Sequence, residues 1–180
     1  MRVTCDAIGR ALQRCGEPCE VEQEPDPDYV KSVARANALG ASYAVEVHQD
    51  VATSKDDAGF GCYASDEGLH LSRAIGHIWY VEARLSQRAH QKRDDLYFLK
   101  HTAMPAIVWE CGSVGQDPEE ELVQYGEIIA HGIVDWLVQT KRAPWLVWVP
   151  PAASAPQLAG PSAADRIARM KALARQILEA

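Results

Sequence analysis

No stretch of this sequence is apolar over the length of a membrane span, and the opening MRVTCDAIGRAL carries no hydrophobic core behind a basic start. The chain therefore reads as one that neither crosses a membrane nor carries its own export signal. Made in the cytoplasm, it would reach a target outside the cell by lysis or by another export route. A local cluster of Lys and Arg is missing too. With a formal net charge of -7 and a pI near 5.3, the chain lacks the footprint of a nucleic-acid binder. Cysteine is present without a pairing pattern. Cys5, Cys15, Cys19, Cys62 and Cys111 are odd in number and contain no CxxC, which excludes a disulfide framework and a cysteine zinc knuckle. There is no internal repeat. KDDAGFG, despite Gly59 and Gly61, has no Lys-Ser/Thr pair after it and is no phosphate-binding loop.

What is present fits one domain with a real core: 180 residues, 47% hydrophobic and 24% charged. Ala7, Ile8, Ala11, Leu12 and Cys15 keep helical spacing up to Gly16. CEVEQE alternates like a short strand, DPDYVKSVARANALG predicts a helix closing on Gly40, and SYAVEVHQD and GFGCYAS predict two strands. A helical pattern follows from Glu67 to Arg88, then a basic loop, then the apolar run AIVW, then a long helix with acids in its first turn and Lys141 near its end. Alternating strands and helices predict an α/β domain, a single domain with a largely parallel sheet flanked by helices. It occupies residues 1–149, followed by a Pro/Ala-rich linker over 150–163 and an amphipathic helix over 164–180. Ile167, Met170, Ala174 and Ile177 form that helix's apolar stripe, which suits packing on the domain or on a second copy of the chain.

The most informative stretch is MPAIVWECGS, Met104 to Ser113, where a run without alternation, as in a strand buried on both faces, stops at Glu110. His48 likewise ends the strand pattern YAVEV. In open α/β sheets, functional groups collect beyond the carboxyl ends of parallel strands. A neutral imidazole ligates zinc, and a carboxylate beside a metal-bound water takes its proton and returns it to a leaving amine. The pair points to a metal-assisted hydrolase. The plainer alternatives are a hydrogen-bonded histidine at a strand end and a carboxylate in an ion pair or helix cap.

These residues carry a resemblance. ARANALGASYAVEVHQDVA, GFGCYAS, DDLYFLKHTAMPAIVWECGSV and YGEIIAHGIVDWL, in that order, resemble the zinc-dependent N-acetylmuramoyl-L-alanine amidase family of bacterial cell-wall hydrolases and phage endolysins. The likeness runs from about residue 3 to 138. A family strand of the SIHAN kind, which delivers a zinc histidine, is matched by His48 in VEVHQD. One of the PAVLVECGF kind, which delivers the catalytic glutamate, is matched by Glu110 in PAIVWECGS. The resemblance implies hydrolysis of the amide between the muramic acid lactyl group and the L-alanine of the peptidoglycan stem peptide.

Family members open with a strand and a GHGG-type turn carrying a first zinc histidine, followed by a glutamate ligand. This chain begins at the following helix and matches neither, so the resemblance supplies one zinc ligand, His48, of an incomplete site and an N-terminally incomplete domain. Asp50, His70 and His101 are substitutes that no spacing recommends. A sheet lacking an inner strand would expose an edge, opening a route to self-association there or through the final helix. WLVWVP, Trp145 to Pro150, is the segment expected to pack over the core or the edge. A non-catalytic peptidoglycan-binding or regulatory relative, and a cysteine hydrolase using Cys111, are the competing readings. Asp56, Asp57, Asp94 and Asp95 read as solvated loop charges, and His77, His90 and His131 as helix positions. Arg88, Lys92 and Arg93 read as a solvated loop, the alternative being the wall of a groove for an anionic peptide.

Overall fold

The computed structural model describes residues 2–22, 29–50, 59–83, 90–114 and 117–152. Helix α1 (Arg2–Arg14) is followed by α2 (Tyr29–Leu39), strand β1 (Ala44–Asp50), β2 (Phe60–Tyr63) and α3 (Asp66–Ile78). Helix α3 widens into a π-helical turn over Trp79–Ala83, after which come β3 (His90–Lys92), α4 (Tyr97–His101), β4 (Ala106–Ser113) and α5 (Glu119–Gln139). The strands form one sheet in the order β1-β4-β2-β3. The β1–β4 and β2–β3 pairs run parallel and β2–β4 antiparallel, so the α/β sheet is mixed.

The absence of alternation in AIVW has its cause in two layers. Ile107, Trp109 and Cys111 turn to one face, where they join Ile8 and Leu12 of α1, Leu71 and Ile75 of α3 and Ile129 and Ile133 of α5 in the main core. Ala106 and Val108 turn to the other face and join Cys62, Leu99 and Phe98 in a smaller cluster under α4. Each set keeps the two-residue period of a strand. Helix α5 lies against both α1 and α3, and it does so through two glycines. A Cβ on Gly126 would stand 2.6 Å from the Thr4 carbonyl oxygen, and one on Gly132 would stand 2.4 Å from Ile75 Cα. No side chain fits at either crossing. On the opposite face the Asn37 amide joins α2 to α4, donating to the His101 carbonyl (2.9 Å) and accepting from Ala103 N–H (2.8 Å).

Several elements differ from the sequence expectation. The CEVEQE stretch is no strand over its described part. It runs irregularly past α1, with Val21 against Gly9 and Glu20 paired with Arg35. The basic loop contains β3 and α4, too short to show periodicity. WLVWVP forms no strand, but it packs over the main core as expected, with Leu146 buried there and Trp148 against it. Trp148 stacks on His131 of α5 at 4.5 Å, and Val149 bonds Arg14 and Cys15 at the end of α1, while Trp145 points outward, 74% exposed. The linker and final helix, apart from residues 150–152, lie outside the described residues, as do Asp56, Asp57 and Arg88. Among the described residues no helix is long and apolar enough to cross a membrane.

His90 opens β3 and is not a helix residue. Its Nδ1 lies 2.7 Å from the hydroxyl of the fully buried Ser72. Burial and the charge of Arg73 lower its pKa below the ordinary histidine value. The unfolded chain thus takes up this proton at a higher pH than the folded chain does. As pH falls below about 6.5, His90 is expected to subtract stability until its folded pKa is passed. A titration of the His90 ring by NMR should give a midpoint below that of an exposed histidine. A midpoint at or above it would remove the effect.

Candidate active site

β1 and β4 end side by side. His48 and Glu110 are register partners, with Glu46 opposite Val108 two positions earlier. Just past the pair the register slips, with Asp50 opposite Ser113, so β4 carries one extra residue beyond Glu110. Bulges of this kind stop pairing and re-aim side chains at sheet ends. Gly59, immediately before β2, donates its N–H to the Glu110 carbonyl at 2.9 Å and fixes the backbone there from the other side.

Strand parity puts Glu46, His48 and Glu110 on the α4 face. Together with Phe60, Cys62, Val108, Arg93 and residues 96–98 they line a cleft of about 460 Å³. His48 Nε2 stands 2.9 Å from Glu46 Oε1, and Nδ1 stands 3.9 Å from Glu110 Oε1. The hydrogen bond to Glu46 raises the pKa of His48; burial opposes this, and the charges of Glu46 and Glu110 add to it. Both carboxylates are largely shielded, with side chains 19% exposed. At low local dielectric such groups interact more strongly than they would in water.

The two residues singled out from sequence therefore meet in one cleft. Glu46 was not singled out as a site residue, and Arg93 was read as a solvated loop residue with a groove wall as the alternative; it lines the cleft. Glu46 looks like the solvent-facing half of an alternating strand, and Arg93 follows a three-residue strand. The other sequence candidates fall elsewhere. Cys111 points into the main core with no exposure, where burial pushes its thiol pKa up, which removes the cysteine-hydrolase reading. His70 lies exposed on α3, and His101 stacks on Tyr97 at 4.2 Å. The side chain of Asp50 lies outside the described residues. His77 and His131 are helical as expected, His131 bonding Glu82.

The donor set can be compared with what a catalytic zinc requires, three protein ligands and one open position. His48 suits one ligand, and a carboxylate on its second nitrogen is the usual partner of a metal-bound histidine. Among the described residues, however, no three His, Cys, Asp or Glu side chains come together to hold a metal ion. The described residues alone do not make a three-ligand zinc site.

An α/β domain whose parallel strand ends carry a histidine and a shielded carboxylate in a cleft is the framework of a hydrolase. The chain belongs to the N-acetylmuramoyl-L-alanine amidase family, whose model matches residues 6–135. Solved structures share the fold. The amidase AmiC2 of Nostoc punctiforme is 19% identical with a TM-score of 0.61, over 78% of this chain and 82% of that one. The amidase Ami1 of Mycobacterium smegmatis is 19% identical with a TM-score of 0.66, over 77% and 75%. The catalytic domain of the CD27L endolysin, which targets Clostridia difficile, is 14% identical with a TM-score of 0.62, over 74% and 81%. Among curated proteins no match was found.

Proposed function

We propose that this chain is a peptidoglycan hydrolase that cleaves the amide between the N-acetylmuramic acid lactyl group and the L-alanine of the stem peptide. The observation that carries the reading is the His48–Glu110 register pair facing one cleft, in a chain matched by the amidase family over residues 6–135. Glu110 serves as general base and then acid. It accepts a proton from the attacking water as the oxygen bonds to the lactyl carbonyl carbon. When the carbon–nitrogen bond breaks, it returns that proton to the leaving amine of L-alanine. His48, with its second nitrogen held by Glu46, is the metal-binding residue for the zinc typical of this family. The proton transfers rest on Glu110 alone.

A second reading, peptidoglycan binding without hydrolysis, draws on the lack of a three-ligand group among the described residues. One experiment separates the two. The purified chain is equilibrated with zinc, freed of loose metal, analysed for zinc content beside His48→Ala, and incubated with purified sacculi. About one zinc per chain, lost in the variant, together with release of peptides bearing a free L-alanine amine, is the outcome expected for the amidase. Sacculus binding with neither retained zinc nor released peptide would replace it with the binding module.

A further inference from the structure

The cleft is electrically two-ended. Glu46, His48 and Glu110 stand at the carboxyl end of β4, and among the described lining residues Arg93 is the one permanently charged cation. Its position is fixed twice. The Arg93 backbone N–H donates to the Tyr63 carbonyl at 2.8 Å, which extends the β2–β3 pairing by one step. Its side chain is oriented by Asp95, which accepts from Nε at 2.8 Å and from Nη2 at 2.9 Å. That fork leaves Nη1 and one N–H of Nη2 for another acceptor. The guanidinium side chain stays 35% exposed, open to a ligand. Cys62, opposite Val108 and so between the Phe60–Glu110 and Tyr63–Ile107 register pairs, lines the cleft between the two ends.

Register gives the span. Phe60 pairs with Glu110 and Tyr63 with Ile107, so the Arg93 attachment lies three strand positions from the carboxylate. At about 3.3 Å per residue this is roughly 10 Å along the strands, and the order β4-β2-β3 adds two strand spacings of about 4.8 Å across, so the two backbones lie roughly 14 Å apart. Phe60, Tyr97 and Phe98 supply aromatic surface along the way. An acidic wall repels a peptide carboxylate at the scissile end, and a guanidinium with free N–H groups attracts one at the far end.

We propose that Arg93 binds a carboxylate of the stem peptide several residues from the scissile amide and thereby sets which stem peptides the cleft accepts. The inference rests on the amidase reading and adds a specificity residue to it. The test is isothermal titration of the full chain with a muramoyl-tripeptide bearing a free terminal carboxylate and with its terminal carboxamide. The carboxylate form should bind about tenfold tighter, and the preference should shrink as salt is raised. Arg93→Ala should erase the preference while leaving carboxamide binding within about twofold, and Arg93→Lys should keep part of it. A preference unchanged in Arg93→Ala overturns the proposal, as does equal binding of both forms by a chain that still cleaves muramoyl-alanine. Failure of the unsubstituted chain to bind either form overturns the proposal and the amidase reading together.

Discussion

Glu110→Gln should reduce the release of L-alanine-terminated peptides from sacculi by about 10²–10⁴-fold, the usual contribution of a positioned general acid–base. The substitution keeps shape and volume and removes only the capacity to take a proton. Glu110 lies near the strand end with its side chain lining the cleft, not among the buried core residues. Thermal and urea unfolding midpoints should therefore stay close to those of the unsubstituted chain. Activity within a few-fold of the original would mean that another group carries the proton, and Glu46, 2.9 Å from the same imidazole, would be the first to examine.

Trp109→Ala should produce the opposite pattern, a large loss of stability that takes activity down with it. The Trp109 ring has no exposure and meets Trp79 edge-on at 5.7 Å, and Trp79 in turn lies against Tyr125 at 4.8 Å. Truncating a buried tryptophan costs about 3–5 kcal/mol from lost transfer energy and the cavity left behind. That is a large share of the roughly 5–15 kcal/mol by which a domain of this kind is stable. Urea unfolding followed by circular dichroism measures it. A loss under about 1 kcal/mol would show that the three-ring cluster does not hold the central strand.

The part of the site that was legible before the structure was the part written on long, regular elements. AIVW announces a strand buried on both faces because both core clusters draw on it, and the apolar run stops at Glu110 while the strand continues to Ser113. His48 was legible for the same reason. Glu46 was not, because an acid in an alternating strand looks alike whether it meets water or a cleft. Arg93 was legible only as a groove-wall alternative to a solvated loop, since a three-residue strand and a five-residue helix hold too little pattern to place it. The CEVEQE stretch erred the other way. Alternation records which side chains suit a pleated surface but says nothing of whether a neighbouring backbone is there to pair with it. The apolar WLVWVP stretch was expected to bury itself, and Leu146 and Trp148 do so against helices, a choice that only three-dimensional packing decides.

The bulge beyond Glu110 and the parity of β4 have a consequence for how errors in this chain would be filtered. Odd-numbered side chains of the strand build the main core and even-numbered ones build the cleft, so a one-residue slip in pairing would send Trp109 into the cleft and Glu110 into the hydrocarbon interior at once. A misaligned copy would bury a charge and expose an indole, and would be too unstable to persist. The cleft is thereby proofread by folding itself: a molecule that has reached its native core already holds the Glu110 carboxylate beside His48.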